Sequence, residues 1–248
     1  MRAVILAGGL GTRLQPFTTI IPKALVPVGH RPILEDIIHR LAAADIRDVD
    51  LCVGHLGQLI QVYFSQATDL PPGLQLRWHW EHEPLGTAGA LKAVPGLDET
   101  FIAMNADVLT KLDFRDLIEH HRASGATMTI AMQAKSVDID LGVIEHSSGF
   151  LTGYREKPKL QYDVSMGIYV YEPRALTFIP DGVCQFPDLV HLLLDAGEPV
   201  AAYPTDVEWY DIGTVAEHER AVHAFSEWQE NLEGEAPPPP DSMGRTSA

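Results

Sequence analysis

The first thirty residues, MRAVILAGGLGTRLQPFTTIIPKALVPVGH, constrain this chain more than any other stretch. Ala3 to Ala7 is an unbroken apolar run, the pattern of a parallel strand covered on both faces. Gly8, Gly9 and Gly11 follow at once, and Arg13 and Lys23 set two cations close behind them. Glycine lets a backbone approach a ligand with no Cβ in the way. A turn with free N–H groups and nearby cations suits a polyphosphate.

The pattern downstream alternates strand and helix. Residues 32–44 carry Leu34, Ile37, Ile38 and Leu41 at helical spacing, with Pro32 near the start. Val49–Val53 reads as a strand. Leu56–Phe64 reads as a helix with Leu59, Ile60 and Phe64 on one side. A strand through Leu74, Leu76, Trp78 and Trp80, a short helix over 87–93 and a buried strand Phe101–Met104 follow. Phe114, Leu117 and Ile118 mark the next helix. This half therefore predicts a mainly parallel sheet with helices on both faces. The second half is richer in strands, at 126–134, 142–146, 150–156 and 164–171, before helices at 186–194 and 214–225. Thr214 and Glu217 have capping-box spacing. From Glu227 the periodicity stops, and residues 227–248, with Pro237 to Pro240, read as a disordered tail.

Composition excludes several classes. With 18 basic and 34 acidic residues the net charge is −16, which argues against nucleic-acid or anionic-membrane partners. A phosphate-binding protein of this charge must concentrate its cations locally and recruit divalent metal. The apolar runs are too short to cross a bilayer, and the N-terminus lacks a signal-peptide pattern. Cys52 and Cys184 have neither metal nor disulfide-framework spacing and read as core thiols, so the cytoplasm is the expected compartment.

LAGGLGTRLQPFT, PKALVPV and RPIL, in this order, strongly resemble the signature of sugar-1-phosphate nucleotidylyltransferases. The resemblance spans roughly residues 1–222 and leans toward the short mannose-1-phosphate guanylyltransferase-like members. It implies a three-layer α/β/α sandwich, a Rossmann-like, mainly parallel sheet with a β-rich sugar-binding insertion. Residues 1–226 would form one domain, with the nucleotide-binding part over about 1–125 and the sugar-binding part over about 126–226.

Each matching segment implies a role. Leu6, Ala7, Gly8, Gly9, Gly11 and Thr12 would hold the nucleotide. Arg13 would hold the β/γ-phosphates, and Lys23 the phosphates around the reacting centre. Glu83-Pro84-Leu85-Gly86-Thr87-Ala88-Gly89 matches the segment near base and sugar, with Gly86 and Thr87 as contacts. Asp107, where a buried strand runs out, would bind Mg²⁺ together with Asp211 of the segment Trp209-Tyr210-Asp211-Ile212-Gly213-Thr214. Gly142 in LGVIE, Glu156 and Lys157 of Glu-Lys-Pro, and Ser165 and Gly167 of VSMGIY would serve the sugar phosphate. Two departures stand out: Ala106 precedes Asp107 where the family has Gly, and Ser165 replaces an Asn. A serine cannot offer an amide's paired contacts.

The expected reaction joins an NTP to a sugar-1-phosphate, giving an NDP-sugar and pyrophosphate. Guanylyl transfer is weakly favoured over thymidylyl, uridylyl and cytidylyl transfer. A non-catalytic sugar-nucleotide-binding regulator and a metal-dependent glycosyltransferase are the alternatives. A dehydrogenase fits poorly: the loop has Leu14 in place of the third glycine, and the next strand ends in Gly54-His55. Relatives are often dimers or tetramers, so a homo-oligomer is expected.

Overall fold

The computed structural model describes the backbone of residues 1–234 and the side chains of residues 1–225. The strands are β1 (Arg2–Ala7), β2 (Pro27–Val28), β3 (Arg31–Pro32), β4 (Asp48–Val53), β5 (Gln75–Trp80), β6 (Phe101–Asn105), β7 (Val108–Thr110), β8 (Met128–Asp138), β9 (Val143–Ser147), β10 (Phe150–Arg155), β11 (Lys159–Tyr171), β12 (Val200–Pro204) and β13 (Trp209–Asp211). The helices are α1 (Ile33–Ala43), α2 (Gly57–Gln66), α3 (Gly86–Lys92), α4 (Phe114–Ser124), α5 (Phe186–Asp195) and α6 (Val215–Gly234).

The main sheet has seven strands in the order β12-β8-β11-β6-β1-β4-β5. β5, β4, β1 and β6 run parallel, β12 is parallel to β8, and β11 is antiparallel to both β6 and β8. Alternate residues of β1 enter different cores. Ala3, Ile5 and Ala7 pack with apolar residues of α1, α2, α4 and α6 on one face. Val4 packs with those of α3 and α5 on the other. This is the expected three-layer sandwich. In α1 the buried positions Ile33, Leu34, Ile37, Ile38 and Leu41 recur at helical spacing and form its core-facing stripe.

At the amino end of the sheet, Asp50 is fully buried on β4. Arg2 binds it through two nitrogens (2.7 and 2.8 Å), Arg77 at 3.1 Å and His79 at 2.8 Å. Burial raises its carboxyl, but the bonds from Arg2, His79 and Arg77 outweigh that and hold it below the ordinary range. The cluster crosses β1, β4 and β5 and favours their register. It also leaves the opposite, carboxyl edge of the sheet free for a ligand.

Several expectations shift. Leu59 is 40% exposed, while Ile60 and Phe64 carry the buried side of α2. β8 continues to Asp138, and β11 begins at Lys159 where the sequence reading starts a strand at 164. Residues Lys159–Asp163 pair with Asp138–Ala134 in a ribbon that is mostly exposed, and the alternation of Leu160, Tyr162 and Val164 along it is the strand signal that a start at 164 passes over. Between its two strands the hairpin β9–β10 forms a separate two-stranded sheet, an arm beyond the core. α6 runs to Gly234, past residue 226, where the sequence reading ends the ordered domain. The rest of the expected tail, 235–248, lies outside the described residues. Thr214 caps α6: Glu217 N donates to its Oγ1 at 3.3 Å, and the Glu217 carboxylate accepts from Gly213 N at 3.2 Å. Both cysteines are buried and unpaired, as expected. Among the described residues no helix is long and apolar enough to cross a membrane.

Candidate active site

Because β1, β4, β5 and β6 run parallel, their carboxyl ends deliver Gly8, Gly54, Glu81 and Ala106 to one edge of the sheet. Backbone bonds knit that edge together: Glu81 N donates to Val53 O at 2.8 Å, and Ala106 N donates to Leu6 O at 3.1 Å. A cleft of about 300 Å³ opens there. Leu6, Ala7, Gly8, Gly9, Lys23, Gly86, Thr87 and Asp107 line it, as the sequence implied, and so do Glu81, Asn105 and Gln185.

The glycine loop is shaped by steric need. Gly11 has φ +61°, and a Cβ there would meet Thr18 Cγ2 at 2.9 Å. Thr18 Oγ1 donates to Gly11 O at 2.7 Å and fixes the turn. Buried Leu14 anchors it behind, so exposed Thr12 and Arg13 are held at the rim. At Gly8 a Cβ would stand 2.8 Å from Glu81 Oε1, the movable end of a side chain that reaches back against the loop.

Asp107 and Asp211 are brought together by a pairing with no signature in the sequence. The short strands β7 and β13 are antiparallel, with Asp211 opposite Val108, and Ile212 N donates to Asp107 O at 3.0 Å. Lys23 Nζ pairs with Asp107 Oδ2. Asp107 Oδ1 is buried and has no partner among the described residues. An orphaned anionic oxygen is costly, about 1–3 kcal/mol or more. The Asp211 carboxyl is pushed up, first by burial and then by the Asp107 charge, against the pull of Lys23 and Arg13. The Arg13 guanidinium would lie 3.3 Å from a Cβ on Gly213, beside Asp211. Two crowded carboxylates, one with a free buried oxygen, form a hard donor set that suits a divalent cation such as Mg²⁺.

Behind this pair stand Ser165 and Gly167. Gly167 has φ +74°, and a Cβ there would meet Asn105 Nδ2 at 2.8 Å. Gly167 N donates to Ser165 Oγ, and Ser165 Oγ donates to Tyr169 Oη, both at 3.2 Å. The Tyr169 phenol is pushed up by burial and by the charges of Asp107 and Asp211, against the bond from Ser165, which sets it close to the acids.

Gly142, Glu156 and Lys157 lie elsewhere, on and beside the β9–β10 arm, outside the cleft lining. Glu156 accepts from Tyr154 Oη at 2.6 Å. The same phenol occupies the space a Cβ at 142 would need, so Gly142 has a packing reason to be glycine. Lys157 is exposed, with φ +43°.

Three polar lining residues, Glu81, Asn105 and Gln185, have no role in the sequence pattern. Glu81 directly follows a strand, which is a usable signal. Asn105 ends β6 next to Ala106-Asp107 and was read only as part of that turn. Gln185 had no local signal. It reaches the cleft because the segment Cys184–Phe186 straps the start of α3: Ala88 N and Gly89 N donate to Cys184 O at 3.0 Å, and Phe186 N donates to Thr87 Oγ1 at 2.8 Å.

A family model described as nucleotidyl transferase matches residues 2–227. A UTP–glucose-1-phosphate uridylyltransferase of Synechocystis is 31% identical over 245 residues, covering 90% of this chain and 62% of that protein. A mannose-1-phosphate guanyltransferase of Candida albicans is 32% identical over 229 residues, covering 86% of this chain and 61% of that protein. The chain thus spans about three fifths of the length of these curated relatives. A solved UDP-glucose pyrophosphorylase of Acinetobacter baumannii superposes with a TM-score of 0.73 at 21% identity, covering 95% of this chain and 99% of that one. That likeness establishes the α/β fold.

Proposed function

Because this chain belongs to the nucleotidyl transferase family, we propose that it transfers a nucleotidylyl group from an NTP to a sugar-1-phosphate, releasing pyrophosphate. The observation that carries this reading is the buried, unpartnered Asp107 oxygen beside Asp211 and Lys23 at the mouth of a glycine-lined cleft. Such a site asks for a cation and offers a place for phosphates next to it.

A sugar-phosphate oxygen attacks the α-phosphorus in line. The bond from the α-phosphorus to the bridging oxygen breaks, and its electron pair leaves with pyrophosphate. The attacking phosphate is already anionic at neutral pH, so no general base is required. The protein's task is to align two polyanions and offset their charge. Backbone groups of Leu6 to Gly11 and Thr12 cradle the triphosphate. Arg13 and Lys23 lie against it, and Lys23 is held in place by Asp107. Asp107 and Asp211 would hold Mg²⁺, which when bound neutralises phosphate charge and orients the leaving group. Ser165 and Gly167 border the sugar side. On the side of the β9–β10 arm, Glu156 is assigned to the sugar hydroxyls and Lys157 to the sugar phosphate.

We assign the enzyme to the cytoplasm, without nucleic-acid or membrane partners. The test is pyrophosphate release with Mg²⁺ from GTP, UTP, dTTP and CTP, each paired with mannose-1-phosphate and glucose-1-phosphate. Release from at least one pair is expected. Tight NTP binding without release from any pair would instead support a regulatory binding protein.

A further inference from the structure

Arg13 is exposed, and a long exposed side chain samples many rotamers. Its guanidinium nevertheless has a seat. A Cβ built on Gly213 would stand 3.3 Å from Arg13 Nη2 and 3.4 Å from its Cζ, so the guanidinium packs against the bare Cα of that glycine. Gly213 is not in the left-handed region, so its backbone conformation admits any residue and what glycine supplies here is room. Glu217 closes the other side of the seat. Its Oε2 stands 3.2 Å from the same Cβ position, and it accepts from Gly213 N at 3.2 Å and from Thr214 Oγ1 at 3.0 Å. The seat is also tied to the acid pair. Asp211 and Ile212 directly precede Gly213, with Asp211 opposite Val108 and Ile212 N bonded to Asp107 O.

The next residue of α6 makes a second set of contacts. His218 Nε2 donates to Pro27 O at 2.8 Å, and its ring centroid stands 5.9 Å from that of Phe17. Arg13, Phe17 and Pro27 all belong to the segment between Gly8 and Val28, whose regular structure up to β2 is three short helical turns, Thr12–Leu14, Phe17–Thr19 and Lys23–Leu25. Buried Leu14, Ala24 and Val26 of that segment share a core with Ala221, Ala224 and Phe225 of α6. The start of α6 thus meets the cation-bearing segment at Arg13, at Phe17 and at Pro27.

We propose that Gly213 and His218 are positioning residues of this site: the first turn of α6 seats the Arg13 guanidinium, and latches the segment that carries it, in register with Asp107 and Asp211. The inference rests on the nucleotidyl-transfer reading, in which Arg13 meets the β/γ-phosphates. Both residues act through Arg13 and not on the substrate. A guanidinium meets a phosphate through a planar fork of N–H groups, so its orientation decides how many bonds form. Seating it before the nucleotide arrives removes part of the ordering cost of binding. Because the seat acts through Arg13, its effect is confined to ligands that carry β- and γ-phosphates.

The test uses the full chain and calorimetric binding, with Mg²⁺, of GTP, UTP, dTTP and CTP and of the corresponding monophosphates. Wild type should bind at least one NTP about tenfold or more tighter than its monophosphate, and Arg13→Ala should remove most of that preference. Gly213→Ala places a methyl group where the guanidinium lies. The atoms it meets are movable ends of side chains, so the fold should hold and the melting temperature should stay within a few degrees of wild type. The variant should weaken NTP binding about threefold or more, spare the monophosphate, and add nothing in the Arg13→Ala background. His218→Phe keeps a ring beside Phe17 and loses the bond to Pro27 O. It should weaken NTP binding about twofold or more, again only where Arg13 is present. Unchanged NTP binding in Gly213→Ala, equal weakening of NTP and monophosphate, or losses that add to that of Arg13→Ala would overturn the proposal. If Gly213→Ala fails to fold, His218→Phe with and without Arg13→Ala decides by the same criterion. A wild type that binds no NTP more tightly than its monophosphate would overturn the nucleotidyl-transfer reading and the proposal together, whereas a clear NTP preference with additive variants overturns the seat alone.

Discussion

A carboxylate buried beside another carboxylate weakens a fold until a cation joins them. Asp211 is in that position, half-buried and repelled by Asp107. Asp211→Asn removes the repulsion while keeping the shape. In EDTA this variant should melt higher than wild type, by a few degrees for about 1 kcal/mol in a chain of this size. Mg²⁺ should raise the melting temperature of wild type and leave that of the variant nearly unchanged, and turnover should fall by at least about a hundredfold, the size of effect expected on removing a key charge-stabilising group. Scanning calorimetry with and without Mg²⁺ reads the first two, and pyrophosphate release reads the third. The two lysines separate at the same scale. Lys23 is tied to Asp107 inside the cleft, and Lys157 stands exposed beside the arm. Lys157→Ala should raise the sugar-1-phosphate KM about tenfold or more and leave NTP binding alone, as the loss of one charge-assisted bond implies. Lys23→Ala should mainly lower kcat, because its charge matters most as phosphate charge shifts. If Lys157→Ala weakened NTP binding and spared the sugar phosphate, the role given to the arm would be wrong.

Among the elements, α3 depends on a strap from a distant part of the chain. Gly86 starts α3 with φ +78°, and a Cβ there would collide with the Cys184 carbonyl. That carbonyl accepts from Ala88 N and Gly89 N, so shifting it uncaps the helix. Gly86→Ala should therefore cost about 2–3 kcal/mol, from backbone strain plus lost bonds. It should also loosen nucleotide binding, because Gln185 follows Cys184 into the cleft lining. Urea unfolding and NTP titration of the same variant check the two effects. A variant as stable as wild type would show that the strap moves aside without penalty.

At the scale of the whole molecule, residues 1–125 and 126–225 share one sheet and one core, so they are expected to unfold together. β11 pairs with β6 of the first part and with β8 of the second. Met166, Ile168, Ala221, Ala224 and Phe225 from the second part share a core with Ala3, Ile5 and Ala7 of β1. A fragment of residues 1–125 would expose the inner edge of β6 and lose that apolar cover. Expressed alone, it should lack dispersed amide signals and a cooperative melt, and the full chain should melt in one transition. A folded, NTP-binding 1–125 fragment would refute this view of the molecule.

The local code accounts for much of this protein. Unbroken apolar runs fix β1 and β6, an apolar run interrupted by Asp50 marks β4, helical spacing fixes α1 and α4, and glycines followed by Arg13 and Lys23 mark the turn that lines the cleft. Such signals are legible because burial and backbone conformation leave a short-range imprint on residue type. Along the exposed ribbon of β8 and β11 the alternation of Leu160, Tyr162 and Val164 has no buried run to reinforce it, so a strand start at 164 falls too late. What no local pattern contains is which distant segments meet. The β7–β13 pairing joins Asp107 to Asp211, the strap at Cys184 brings in Gln185, and Glu81 lies against Gly8. Those contacts, and the orphaned oxygen they create, exist only once the parallel strands end at a common edge, because it is sheet order and not sequence spacing that decides which side chains share a cleft.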